Sequence, residues 1–485
     1  MSIPYIIKSW RGGISDESDK GVAGSYKFSY GLDIHGRNDV LTSKQAMTTA
    51  FGSSNTTQTG IISWFVNASD GSTYCFGSTG SVFARSGDGN FNLVYNDENG
   101  AIKGAAEFQL SDGNNYLFWS TGTSLARKLM PGITVAPDSG AGRWTDVTAN
   151  YKTTLDSSDW HTMMVAGGQL NIANNNYLAS VAYDGTFDPA DLDIIPGNII
   201  KCLEERDDYV ILGSYREDKS EEGHIWSWIT SATNWIQKKR VPIKGVNSLI
   251  TAETMLLQGG SDGELFYSDF NSAIPLHGII GGGSTMPGGV SIEDDLAIFG
   301  VYGGTYPGIW SYGRKRKNRP MALNYDYRLA GTVAGSSIST IAALTTVDGL
   351  VMASWGTTDG STSDYGVDIV DSSNKASSVF EGLEFTNGVP HLKKMFDTVK
   401  LSQSSMPAGS FLSVKFKLDK ESDWRYAVTG SGSTTYSETG STEAIFSIGK
   451  IGTVYEVGVE NTPSGNNSPE IFGVTTYISN EQYEY

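Results

Sequence analysis

Four adjacent carboxylate pairs are the first candidates for chemistry in this chain: Asp207–Asp208, Glu204–Glu205, Asp294–Asp295 and Glu221–Glu222. A glycoside hydrolase needs one carboxyl as acid and a second as nucleophile or base, both facing the same sugar. Adjacent residues on a strand point to opposite faces, so each pair reads as turn residues opening a strand. A dyad assembled from two separate repeats stays open. The five histidines, His35, His161, His224, His277 and His391, are scattered and never at metal-ligand spacing. No phosphate-binding glycine loop or nucleophile elbow occurs in a strand-to-helix context. The expectation is a protein that is not an enzyme, with no catalytic residue, metal or cofactor.

Two features point to recognition instead. Arg314, Lys315, Arg316, Lys317 and Arg319 form a basic cluster, and Lys238, Lys239 and Arg240 form a second. The chain has 35 Lys and Arg against 53 Asp and Glu, a formal net charge of −18. In so acidic a chain a basic loop can dock on an acidic neighbouring subunit; the plainer reading is a solvated loop tip. Trp226, Trp228, Trp235, Trp310 and Trp355 would stack on sugars if exposed, and read as core if buried. Core is the expectation. The acidic balance repels phosphates, so direct sequence-specific nucleic acid binding is not expected. Cys75 and Cys202 are the only cysteines, which excludes a disulfide framework but not a single bond; two buried free thiols are the expectation. No signal peptide or apolar span long enough to cross a membrane is seen.

The elements that would hold these residues are strands. Gly accounts for 58 of 485 residues and charged residues for 18%, while aromatics reach 11%. That composition suits many short strands joined by tight turns. A repeat fixes the arrangement: residues 69–85, SDGSTYCFGSTGSVFAR, align without a gap on residues 111–127, SDGNNYLFWSTGTSLAR. Asp-Gly opens a turn, an aromatic strand follows, and Ser-Thr-Gly turns into a further strand. Looser copies follow, marked by Tyr74, Tyr116, Tyr177, Tyr209, Met255, Leu296 and Leu350. The marks recur about every 46 residues, the ~40–50 of a four-stranded propeller blade. The fold expected is all-β, a seven-bladed β-propeller over residues 56–388 followed by a C-terminal jelly-roll-like β-sandwich over 389–485. In that last segment about seven or eight alternating strands are read, with the Gly/Ser/Thr run Thr429–Thr442 as an exposed loop. Residues 1–55 form an N-terminal arm or closing segment. Either this segment or Ser377–Thr386 supplies the strand that closes the ring.

The N-terminal segment also carries a resemblance. W-R-G-G-I-S-D-x-x-D-K-G at Trp10–Gly21, G-S-Y-K-F at Gly24–Phe28 and G-L-D-I-H-x-R at Gly31–Arg37 resemble tailed-bacteriophage virion proteins with a β-propeller and a terminal β-sandwich. The resemblance implies a structural protein of the particle, a tail nozzle, hub, tip or fibre-attachment component. It would be made in the host bacterial cytoplasm and reside in the virion tail. Its implied partners are other virion proteins and copies of itself in a symmetric assembly, with the N-terminal segment as a flexible docking arm. The alternatives are a module that binds host surface glycans through the C-terminal sandwich, or a propeller polysaccharide hydrolase.

Overall fold

The computed structural model describes residues 2–15, 24–36, 39–52, 60–85, 89–131, 144–218, 222–259, 264–268, 273–278, 282–330, 338–359 and 362–479. Among them every regular element is a β-strand. Asp16–Gly21 and Arg37 of the N-terminal motif, and Glu221, lie outside the described residues.

The strands follow from the turn chemistry. Asp70 accepts the Ser72 amide at 3.0 Å and the Tyr74 hydroxyl at 2.8 Å. Asp112 repeats this with the Asn114 amide at 2.9 Å and the Tyr116 hydroxyl at 2.8 Å. Each aspartate thus closes its own turn and fixes the aromatic of the strand that follows. Gly71 and Gly113 sit beside them at φ 82° and 81°, a region that side-chain-bearing residues avoid.

Seven four-stranded antiparallel units follow one another along the chain. The first runs from Ile62–Asn67 to Phe91–Asn96, and the sixth from Val290–Glu293 to Ala322–Tyr327. The seventh takes three strands from residues 338–375 and its fourth, Gln45–Gly52, from the N-terminal segment. Of the two candidate segments, the N-terminal one thus supplies the fourth strand of the seventh unit. Ser378–Glu381 instead pairs with Phe28–Tyr30 and Tyr455–Thr462.

Six of the seven repeat marks lie on the second strand of their unit, among them Tyr74, Tyr116 and Tyr209. Tyr177 is the exception. It opens the third strand of the third unit, whose second strand is Gln169–Asn174. In that unit Gly167 and Gly168 make the first turn, while Asn175, at φ 62°, gives the next turn the look of an Asp-Gly turn. Where their side chains are described, second strands are largely buried on both faces, which is why the aromatics collect there: Phe76, Phe118 and Trp119 are fully buried. Trp119 donates from Nε1 to Asp97 at 2.8 Å, so its one polar atom is satisfied.

Neighbouring units are tied along one edge. The Ser69 amide donates to Glu107, Ser111 to the Tyr183 carbonyl, Thr251 to Glu204 and Arg314 to Glu253. Thr346 donates to the Ile292 carbonyl, linking the seventh unit to the sixth. Asn67 of the first unit donates to Thr345 of the seventh at 2.9 Å.

Most of the remaining strands form a second body, while Gly13–Ile14 with Ser25–Tyr26 and Leu32–Asp33 with Thr42–Ser43 make two small two-stranded sheets. Ser2–Ile7, Ile471–Ser479, Lys394–Gln403 and Glu443–Gly452 make one sheet. Phe28–Tyr30, Ser378–Glu381, Tyr455–Thr462, Phe411–Leu418 and Arg425–Tyr426 continue the sixth unit outward as a nine-stranded sheet. The segment after residue 389 gives six strands, fewer than the seven or eight read from its alternation, because N-terminal strands complete its sheets. The run Thr429–Thr442 carries no strand.

The N-terminal segment is therefore not a flexible arm over its described residues. Its apolar alternation is spent on burial: Trp10, Ile14, Tyr26, Phe28 and Leu32 join one core with Phe299, Trp310 and Tyr325 of the sixth unit and Phe380, Phe396 and Val459 beyond. Removing such a strand would expose that core and open the edge of the sixth sheet.

Candidate functional site

The basic loop Arg314–Arg319 joins the third and fourth strands of the sixth unit. Its residues do different things. Arg319 is buried, 6% exposed, and donates from Nη1 to the His35 carbonyl at 2.7 Å. Arg314 pairs with Glu253 at 2.7 Å and donates to the carbonyls of Lys317 and Arg319, folding the loop back on itself. Lys315 reaches Asp294 at 3.0 Å. Arg316 and Lys317 are exposed. The loop is thus anchored at both ends and presents two cations outward.

The second basic cluster lies on the outer strand of the fourth unit, Gln237–Val241. Lys238 sits 4.6 Å from the ring centre of Trp226, Arg240 pairs with Glu222 at 3.4 Å, and Lys239 is half-buried. Each guanidinium or ammonium here lies on a partner, an arrangement that orients more than it stabilises at an exposed surface.

In an antiparallel meander the first and third turns lie on one edge of the sheet, and the second turn on the other. The basic loop is a third turn. Exposed apolar residues gather on the same edge of their own units: Leu129, Val165, Tyr183, Tyr209, Ile236 and Ile292, 37–51% exposed. Each stands at or beside a first or third turn.

Behind the loop, a polar network crosses the joint. Lys44 is buried and pairs with fully buried Asp326 at 2.6 Å and with Glu293 at 3.6 Å. Burial alone would lower its pKa, but Asp326, Tyr327 and Glu293 together hold it well above the usual lysine value. Asn324 donates to the Leu32 carbonyl at 2.8 Å, and its side-chain oxygen accepts Tyr26 at 3.0 Å and Ser29 at 2.6 Å. Asp33 accepts the amides of His35 and Gly36, fixing the turn that presents the His35 carbonyl to Arg319. Burial and the nearby Lys44 push the His35 pKa down to about 3, so the ring is neutral. These joint residues were not singled out by spacing. Of the side chains in the network, only Asp33 and His35 lie in the G-L-D-I-H string and Tyr26 in G-S-Y-K-F; the others carry no local signal.

A cavity of about 230 Å³ is lined by residues that include Trp64, Ile102, Lys103, Trp160, Met286 and Ala342. They come from the first strands of three units and the links between others. Beside it Lys201 donates to Asn247 at 2.7 Å and lies 4.7 Å from the Trp160 ring centre.

The carboxylate pairs are dispersed. Asp207, Asp294 and Asp295 have positive φ and occupy turns, as Asp208 does. Glu204 is inward and accepts the Thr251 amide at 2.8 Å, whereas Glu205 is exposed. Burial raises the Glu204 pKa to about 7 despite that bond. His161 holds the Ala173 and Gly122 carbonyls, His224 is buried, and His391 is exposed. The His277 side chain lies outside the described residues. Among the described residues no group of three His, Cys, Asp or Glu is placed to hold a metal. Trp226, Trp228, Trp310 and Trp355 are core, and Trp235 packs edge-on against Trp226 at 5.3 Å. Both cysteines are buried free thiols.

The sequence matches no described protein family and no curated protein. Among solved structures, the extracellular domain of the putative hybrid two component system BT4673 from B. thetaiotaomicron is similar at 13% identity and a TM-score of 0.45. The match covers 79% of this chain and 44% of that one, so the chain spans less than half of that domain's length. The WD40 beta propeller domain of Doa1 is similar at 11% identity and a TM-score of 0.45, over 68% of this chain and 98% of that one. A chain of the Mitotic Checkpoint Complex follows at 8% and 0.43, over 67% and 94%. None of the three says what this chain binds or does.

Proposed function

We propose that this chain is a structural protein of a tailed bacteriophage particle, a tail component that serves as a rigid assembly platform. In this reading the seven units are the blades of a closed seven-bladed propeller, with the N-terminal strand Gln45–Gly52 completing the last. The edge bonds that run from unit to unit, Asn67–Thr345 included, support closure. The two outer sheets are the faces of a jelly-roll-like sandwich whose core is shared with the joint.

One observation carries the platform reading. Among the residues that carry the resemblance to virion proteins, Trp10, Ile14, Tyr26, Phe28 and Leu32 are buried in the core shared by the two bodies, and His35 is buried beside them. In this reading, that part of the resemblance serves to fix the angle between propeller and sandwich. A fixed angle matters to a part that must place two neighbours relative to each other. The docking face is the edge that bears the basic loop and the exposed apolar side chains, which supply charge steering and area to bury. Its partners are neighbouring virion proteins or copies of the chain in a symmetric assembly.

The experiment is complementation. Phage lacking the gene are supplied with the full chain or with the double variant Arg316→Glu, Lys317→Glu, and purified particles are weighed for the protein. The platform reading expects wild-type loading to fall at least tenfold in the variant with no change in thermal midpoint. Equal loading would remove the loop from the docking face.

A further inference from the structure

The loop Thr429–Thr442 walls a cleft of about 750 Å³ in the second body. That volume falls in the ~300–1,000 Å³ of small-molecule sites. Its lining is chemically narrow. Hydroxyls come from Thr429, Ser431, Ser433, Thr435, Ser437 and Ser441. Tyr436, Glu438 and Glu443 complete the polar part, and Ile445, 52% exposed, gives an apolar pad.

The wall is held by backbone bonds and by its own hydroxyls. Thr429 pairs with Ser431 at 2.9 Å and Ser433 with Thr435 at 3.1 Å, while the Ser441 hydroxyl lies 2.8 Å from that of Tyr436 and donates to the Glu443 carbonyl at 2.7 Å. Gly440 donates to the Met406 carbonyl, and Met406 to the Ser441 carbonyl, both at 2.9 Å. Leu412 and Tyr436 exchange amide bonds at 3.0 and 2.8 Å, and Met406 and Leu412 are buried in the core. Thr429 and Ser433 close the turn between them at 2.7 Å. A cleft fixed in this way loses little freedom when a ligand enters.

Charge selects the ligand. Glu443 is neutralised by Lys400, while Glu438 takes the Tyr436 hydroxyl at 2.9 Å and keeps lone pairs to offer. No lysine or arginine lines the cleft. Lys400, at the rim, is already paired with Glu443, so an anionic ligand would meet the Glu438 carboxylate with no unpaired cation in the lining, and phosphate-bearing and uronic acid polymers fit poorly. A hydroxyl both donates and accepts, and a carboxylate accepts from two adjacent hydroxyls at once; a rigid array of both matches a sugar's own hydroxyls. The apolar pad matches the C–H face of a pyranose ring.

We propose that this cleft binds an uncharged oligosaccharide of a few residues. The proposal goes beyond the platform reading and does not depend on it. The test titrates the full chain with maltohexaose, mannohexaose, galactohexaose and chitohexaose, and with hexagalacturonate as the charged probe. At least one neutral probe should bind with Kd below about 1 mM. Ser433→Trp, which fills the cleft, should weaken that binding at least tenfold, and Glu438→Gln should weaken it several-fold, both with unchanged thermal midpoint. The inference is overturned if no neutral probe binds, if hexagalacturonate binds as well as the best neutral one, or if neither variant weakens binding. It is likewise overturned if Ser433→Trp changes the oligomeric state, which would make the cleft a contact between copies.

Discussion

Lys44 Nζ lies 2.6 Å from Asp326 Oδ2, joining the N-terminal segment to the outer strand of the sixth unit across 282 residues. Neither group meets solvent enough to be satisfied by water, so the pair sets register where two bodies meet.

Breaking this pair should be costly. Lys44→Met leaves Asp326 and Glu293 buried together without a cation, a loss of about 3–5 kcal/mol. Urea unfolding of the variant should show a lower midpoint. An unchanged midpoint would mean the joint is wet or loosely packed.

The turn aspartates give a finer prediction. Tyr74→Phe removes the hydroxyl that Asp70 accepts, at a cost of about 1 kcal/mol. Asp70→Asn combined with Tyr74→Phe should cost less than the sum of the two single changes, because both remove one bond. A strictly additive double variant would show that the aspartate closes its turn without the tyrosine.

Glu204 predicts a pH effect. Its folded pKa is raised to about 7, first by burial, against about 4.3 in an unfolded chain. Such a group favours the fold fully below its unfolded value, and that contribution is lost as pH rises through about 7. Glu204→Gln keeps the acceptor for the Thr251 amide and removes the charge. The variant should match the parent at pH 4 and exceed it in unfolding midpoint at pH 8. A variant weaker than the parent at pH 8 would show that the carboxylate is charged and compensated in the fold.

Much of the fold was legible in sequence because one aspartate does two jobs. In S-D-G-x-x-Y it makes the turn and anchors the aromatic, so spacing and strand identity are written together. Where glycines make the turn, as at Gly167–Gly168, the mark slipped by one strand to Tyr177. The four buried tryptophans read as core, and they are. The joint was illegible, since Tyr26–Asn324 and Lys44–Asp326 are partners nearly 300 residues apart and no local pattern couples them. The basic loop was visible as charge, but not that Arg319 turns inward to His35. The oligosaccharide cleft read only as an exposed loop, because its shape depends on backbone bonds to Met406 and Leu412.

The most direct measurement is immunogold labelling of purified particles with an antibody to this chain, viewed by negative stain. A tail component predicts gold at one fixed position on every tail. Particles that carry no gold, while the antibody still recognises the soluble chain, would contradict the account.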